Sequence, residues 1–132
     1  MRGYLALTPD ELAQLLGDGE ISIDTAFVRT GQFKSMNPEL GEEESEYILS
    51  LLAAEDSISY QGDSAKFSFV LAVDLEVSQI GQESEVEVNL TSPIKFSQAD
   101  CLFVGAADDN DGELTWYAAQ EIAIQLPNWQ VS

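Results

Sequence analysis

Residues 66–77 alternate. Phe67, Phe69, Leu71, Val73, Leu75 and Val77 occupy every second position of one run. Side chains of a β-strand point alternately to the two sides of its sheet, so this spacing predicts a strand with one continuous apolar face. The opposite face is not polar throughout, because Val70 and Ala72 sit at its middle. A strand apolar on both sides is covered on both sides, which places it inside a sheet and not at its edge. Phe69, Leu71 and Val73 are therefore expected in the core. The rest of the chain has to supply the strands and helices that surround this one.

Residues 2–7 read as a short strand. Thr8, Pro9 and Glu11 then form a helix start: a capping hydroxyl, a proline at the first helical position, and an acid three residues after the cap. Leu12, Leu15 and Leu16 make one helical face, with Gly17 as its end and Asp18-Gly19 as a turn. Residues 21–30 predict a second strand with Ile21, Ile23, Thr25 and Phe27 on one side. Residues 31–39 read as a loop. Residues 40–54 predict a helix whose apolar stripe is Tyr47, Ile48, Leu51 and Leu52, followed by a polar, turn-rich stretch over 56–65. After the central strand, 81–84 reads as a connection and 85–91 as a half-exposed strand through Val86, Val88 and Leu90. Ser92-Pro93 breaks it. Residues 97–100 read as a turn or one helical turn and 101–105 as a short buried strand. Residues 114–126 fit either a strand through Trp116 that passes into a helix near Glu121, or a single helix. Pro127 closes that segment, and a frayed tail is expected from about residue 127. The fold class that follows is α+β: one domain over 1–132, with a single small sheet of about five strands and two to three helices packed on it.

The charge narrows the function. The chain carries 24 acids, 5 bases and no histidine, for a net charge of −19. Such a charge repels nucleic acid and anionic lipid, and it costs stability through self-repulsion. Arg2, Arg29, Lys34, Lys66 and Lys95 are dispersed and form no phosphate-binding patch. No direct nucleic-acid or membrane contact is expected. The lone Cys101 allows no internal disulfide. No apolar run approaches the roughly 20 residues that span a bilayer, and the chain opens on a strand and a helix start with no signal peptide. Together these predict a cytoplasmic protein.

Catalytic patterns are missing. Without histidine the usual serine and cysteine triads and His-rich zinc sites are excluded. No phosphate-cradling or dinucleotide-binding glycine pattern occurs, and no cofactor is expected. The run Asp108-Asp109-Asn110-Asp111-Gly112-Glu113 invites a calcium loop. With Gly112 at loop position 6, however, positions 1 and 12 would be Ala107 and Ala118, so two essential ligands are absent and a solvated loop is the better reading. Cys101 has no base nearby in sequence and reads as a structural thiol. Asn89-Leu90-Thr91 matches a glycosylation sequon but falls on a predicted strand. Two groups remain as candidate binding residues. Glu42, Glu43 and Glu46, with Glu44 between them, crowd a helix start beyond what the helix dipole calls for. Trp116, Tyr117 and Glu121 bring adjacent aromatics close to an acid, where they could line a pocket or simply fill the core.

Several segments in order resemble a family of short, uncharacterised, mainly actinobacterial proteins, the domain of unknown function DUF6912. They are MRGYLALTPDELAQLL, TAFVRT, EEESEYILSLLAA, FVLAVDLE, VNLTSPIKFSQAD and ELTWYAAQEI, which together cover most of the chain. The resemblance implies a cytoplasmic bacterial protein and carries over no catalytic residues. Residues 106–113 depart from the family pattern, being short where a longer helix-forming acidic stretch is expected. Three readings of function follow. The leading one is a non-catalytic binding protein whose acidic surface meets a basic protein partner. The alternatives are a nucleic-acid-mimic inhibitor or immunity-type protein, and a carboxylate- or metal-dependent enzyme.

Overall fold

The computed structural model describes residues 1–107 and 113–130. The chain opens with β1 (Arg2–Leu7) and α1 (Pro9–Asp18). The Thr8 hydroxyl accepts from the Glu11 amide, and the Glu11 carboxylate accepts from the Thr8 amide, which completes the expected cap. Gly17 lies inside α1, and Gly19, at φ 78°, ends it. The single strand expected over 21–30 is two, β2 (Glu20–Ile21) and β3 (Thr25–Phe27), which join different sheets. The expected loop over 31–39 contains a short helix, α2 (Gly31–Met36). Its cap is the Thr30 hydroxyl, which accepts from the Phe33 amide, and Phe33 is its one buried residue. One buried residue gives no period to read.

The next helix, α3 (Glu42–Gln61), runs past the expected end at residue 54 until Gly62, at φ 75°, stops it. Most of the supposed turn-rich stretch is its last turns. Its buried face also differs from the expected stripe. Ser45, Leu49, Ala53 and Ser57, each four residues apart, face inward with Ser50 and Ala54, while Tyr47 is 55% exposed. Ile48 and Leu52 flank that face and still pack against the core. Small residues let the helix backbone approach the sheet closely, and apolar periodicity alone does not count serine as an inward residue.

The remaining elements are β4 (Phe67–Asp74), β5 (Ile80–Glu83), β6 (Glu87–Leu90), β7 (Ile94–Lys95), β8 (Ala99–Ala106), β9 (Thr115–Ala118) and α4 (Ile122–Trp129). Of the two readings for residues 114–126, the strand passing into a helix is the one present. Pro127 lies within α4 and does not close it, and α4 runs on to Trp129, which is buried.

Seven strands form one antiparallel sheet in the order β5-β6-β3-β1-β4-β8-β9, and β2 and β7 form a separate pair. Seven strands and four α-helices among the described residues replace the expected five and two to three, because short strands such as β3, β5 and β9 are too brief to alternate visibly. β4 lies between β1 and β8, paired along its length with both. Phe69, Leu71 and Val73 are at most 1% exposed, as the alternation requires. Val77 stands outside the strand at 88% exposed.

Two cores result, one on each side of the sheet. Leu5, Leu7, Phe69, Leu71 and Leu102 project to one side and meet Leu12 and Leu15 of α1 and Ile122, Leu126 and Trp129 of α4. Tyr4, Ala6, Phe27, Val70, Ala72 and Cys101 project to the other and meet Leu49, Ala53 and Ala54 of α3 and Phe33 of α2.

Candidate functional site

The α3 side of the sheet is incompletely covered. β1 pairs with β4 through six residues, but with β3 only at Tyr4 and Phe27. Just before β3, the chain is engaged elsewhere, as β2 pairs with β7 in the separate two-stranded sheet. Beyond Tyr4 and Phe27 the two strands part. The gap is a groove of about 340 Å³, lined by Ala6, Thr8, Ile23, Asp24, Phe27 and Tyr60. Ala6 and Phe27 form its apolar floor. Tyr60, from the last turn of α3 and 60% exposed, forms one wall.

Two acids, Glu11 and Asp24, line this groove. Partial burial pushes the Tyr60 phenol above its ordinary value, and the negative charges of Asp56, Glu87, Glu11 and Asp24 push it further. Those four carboxylates come from α3, β6, α1 and the connection before β3. Glu11 spends one oxygen on the Thr8 amide. Glu87 sits directly across from Phe27 in the β3–β6 pairing. No base lies within ion-pair distance of the four among the described residues.

A second cluster lies at the other end of α3. The Arg2 guanidinium donates to Asp100 Oδ2, to the Tyr4 hydroxyl at 3.2 Å and to Cys101 Sγ at 3.6 Å, and its Nε is 3.9 Å from Glu46 Oε1. It also lies over the Tyr4 ring. Burial raises the Cys101 thiol pKa, against the pull of the Arg2 charge. Cys101 is 2% exposed, a buried free thiol packed in the core, as its sequence context suggested.

The sequence candidates divide between these regions. Glu42 and Glu43 project into solvent from the first turn of α3. Glu46 joins the Arg2 cluster. Trp116 pairs across to Phe103 and is 57% exposed. Tyr117 points to the opposite side and packs edge-on against Trp129 at 5.3 Å. Adjacent strand residues cannot share a face, so Trp116 and Tyr117 do not line one pocket. The Glu121 carboxylate accepts from the Ala118 amide and caps the turn before α4. The groove residues Glu11, Asp24, Asp56, Tyr60 and Glu87 come from separate segments, and nothing in their sequence contexts marked them as a group.

No three Cys, Asp or Glu side chains converge closely enough to hold a metal ion among the described residues. The calcium-like run at 108–112 lies outside those residues. No helix there is long and apolar enough to cross a membrane.

A family model matches residues 1–126, under the description of a family of unknown function, DUF6912. The chain belongs to this family. DUF6912 membership thus extends from β1 into α4 and takes in both the groove and the Arg2 cluster, without attaching an activity to either. No curated protein and no solved structure matches the chain.

Proposed function

We propose that the chain is a non-catalytic binding protein whose acidic surface meets a basic protein partner. The observation that carries this reading is the imbalance of charge at the surface. Among the described residues only Asp74, Glu46 and Asp100 have a cation within 4.0 Å, and Arg2 serves two of them. The other described acids are exposed or half-buried and have no cation within 4.0 Å. A surface kept this negative repels itself, and a basic partner relieves that repulsion while its approach is accelerated by the field. Acids stand on α1, α3, β5, β6 and the connections alike. That spread suits a protein partner better than the single elongated stripe a nucleic-acid mimic needs.

The test is affinity capture with the whole chain from a bacterial lysate at low and at high salt. A basic protein retained in stoichiometric amount at low salt and released at high salt is the expected result. Its binding should then be reproduced with the purified pair. Capture of nothing in either condition counts against the proposal.

A further inference from the structure

We infer that the groove between α3 and the β1–β3 gap seats a lysine or arginine side chain of a protein partner, an inference that rests on the proposed function above. The groove is shaped for a chain that is apolar along its length and cationic at its end. Ala6, Ile23 and Phe27 give the aliphatic stem an apolar bed, as long basic side chains require. The Tyr60 ring stands beside it with most of its surface free, positioned for a cation–π contact. Asp24 and Glu11 line the groove and Glu87 pairs across from Phe27 on its floor, with no base within ion-pair distance of them among the described residues. Apolar floor and acidic rim together match one side-chain chemistry. A bare metal ion does not fit, because no three of these acids converge to coordination distance. The volume of about 340 Å³ lies at the lower end of the ~300–1,000 Å³ typical of ligand pockets, which suits one long side chain with its water.

The experiment titrates the isotope-labelled full chain with an end-blocked peptide of alternating arginine and glycine at low salt, followed by amide NMR shifts and by calorimetry. The expected result is saturable shifts at Ala6, Asp24, Phe27 and Tyr60. Asp24→Asn with Glu87→Gln should weaken binding about tenfold, the worth of two surface ion pairs. Tyr60→Ala, which removes no formal charge from an exposed position, should weaken it about two- to fivefold, the size of an exposed cation–π contact. Glu42→Gln with Glu43→Gln removes the same charge elsewhere and should cost less than about threefold, the screened contribution of distant charges. If both charge pairs weaken binding equally and Tyr60→Ala does nothing, the peptide reads only net charge. The groove inference then falls while the basic-partner reading stands. If shifts concentrate near Glu42 and Glu46, the seat is misplaced. If the wild-type chain does not bind the peptide at all, the basic-partner reading fails along with the groove.

Discussion

The two sides of the sheet are built from different materials. The α1–α4 side is filled with leucines, Phe69 and Trp129, and two helices close over it. The α3 side meets its principal helix through Leu49 and the small residues Ala53, Ala54, Ser45, Ser50 and Ser57, and that helix leaves a groove at one end and an exposed Trp116 on the edge strand β9. Large apolar residues interlock and exclude water, which makes the first side a source of stability. Small residues bring the α3 backbone close but cover little area, so the sheet extends beyond the helix. The contrast separates what holds the fold from what the fold presents to other molecules.

The strongest way to break this comparison is Phe69→Ala. Phe69 is fully buried, with Trp129 edge-on at 5.5 Å and Phe67 at 6.3 Å. Its truncation removes the contact that anchors α4 and should cost about 3–5 kcal/mol, the usual range for a buried phenylalanine. A urea series reads this as a lowered midpoint. A loss below about 1 kcal/mol would show that the closed side is not the stabilising one, since such a site would be relaxing as freely as a surface position.

Ser57→Ala should have the next largest effect, and it probes the other side. Ser57 is fully buried. Its hydroxyl donates to the Leu7 carbonyl at 2.6 Å and accepts from the Phe69 amide at 2.8 Å, so one hydroxyl joins α3 to β1 and β4. Alanine leaves two buried backbone groups without that partner, at about 1–3 kcal/mol. Ser45 is equally buried but donates only to the Gly41 carbonyl at the start of its own helix. Ser45→Ala should therefore cost less than Ser57→Ala in the same denaturant series. Equal costs would mean that the α3 side is held by area alone and not by this polar pin.

These serines also show where sequence reading stops. The central strand was legible because six alternating residues override any local ambiguity, and the α1 cap because its three residues are contiguous. The inward face of α3 was not legible. Apolar periodicity selects Tyr47 and Leu51, whereas the helix turns its small residues inward to approach the sheet. β3 and β5 were obscured by their length, and α2 by its single buried residue. The site suffered most. Trp116 and Tyr117 are neighbours in sequence but face opposite sides of β9, and Glu121 is occupied as a cap. Glu46 was expected to point mostly to solvent but is half-buried, because long-range pairing brings it to Arg2. The groove lies where β1 and β3 share a single residue pair, a long-range arrangement that no local pattern encodes.

A pH series sharpens the comparison further. Tyr4 and Cys101 both lie on the α3 side, and burial raises both pKa values above their ordinary 10.0 and 9.0. Between the unfolded and folded values the native chain keeps protons that the unfolded chain has lost. Stability therefore falls as pH rises. The contribution is complete below about pH 9 and is lost as pH climbs through the folded values. Urea midpoints should decline above that point. Tyr4→Phe should flatten the part of the decline above about pH 10. A decline unchanged in both Tyr4→Phe and Cys101→Ser would assign the effect to groups outside this core.

Glu46→Gln is the smallest expected effect and discriminates most finely between the two ends of α3. Its carboxylate is 3.9 Å from Arg2 Nε, at the limit of an ion pair, and both side chains are about one-third exposed. Arg2 is already engaged by Asp100, so losing Glu46 removes a weak, screened attraction and leaves the guanidinium paired. The same change relieves repulsion from Glu42 and Glu43 on the adjoining turn. The two effects oppose each other, and stability should change by less than about 0.5 kcal/mol. Binding of the arginine–glycine peptide should also hardly move, because the groove lies at the opposite end of α3, beside Tyr60. If Glu42→Gln with Glu46→Gln weakens that peptide more than Asp24→Asn with Glu87→Gln, the partner docks on the first turns of α3. The exposed Trp116 beside the Arg2 cluster then becomes its apolar anchor, and the groove reverts to a packing gap left where β3 departs from β1.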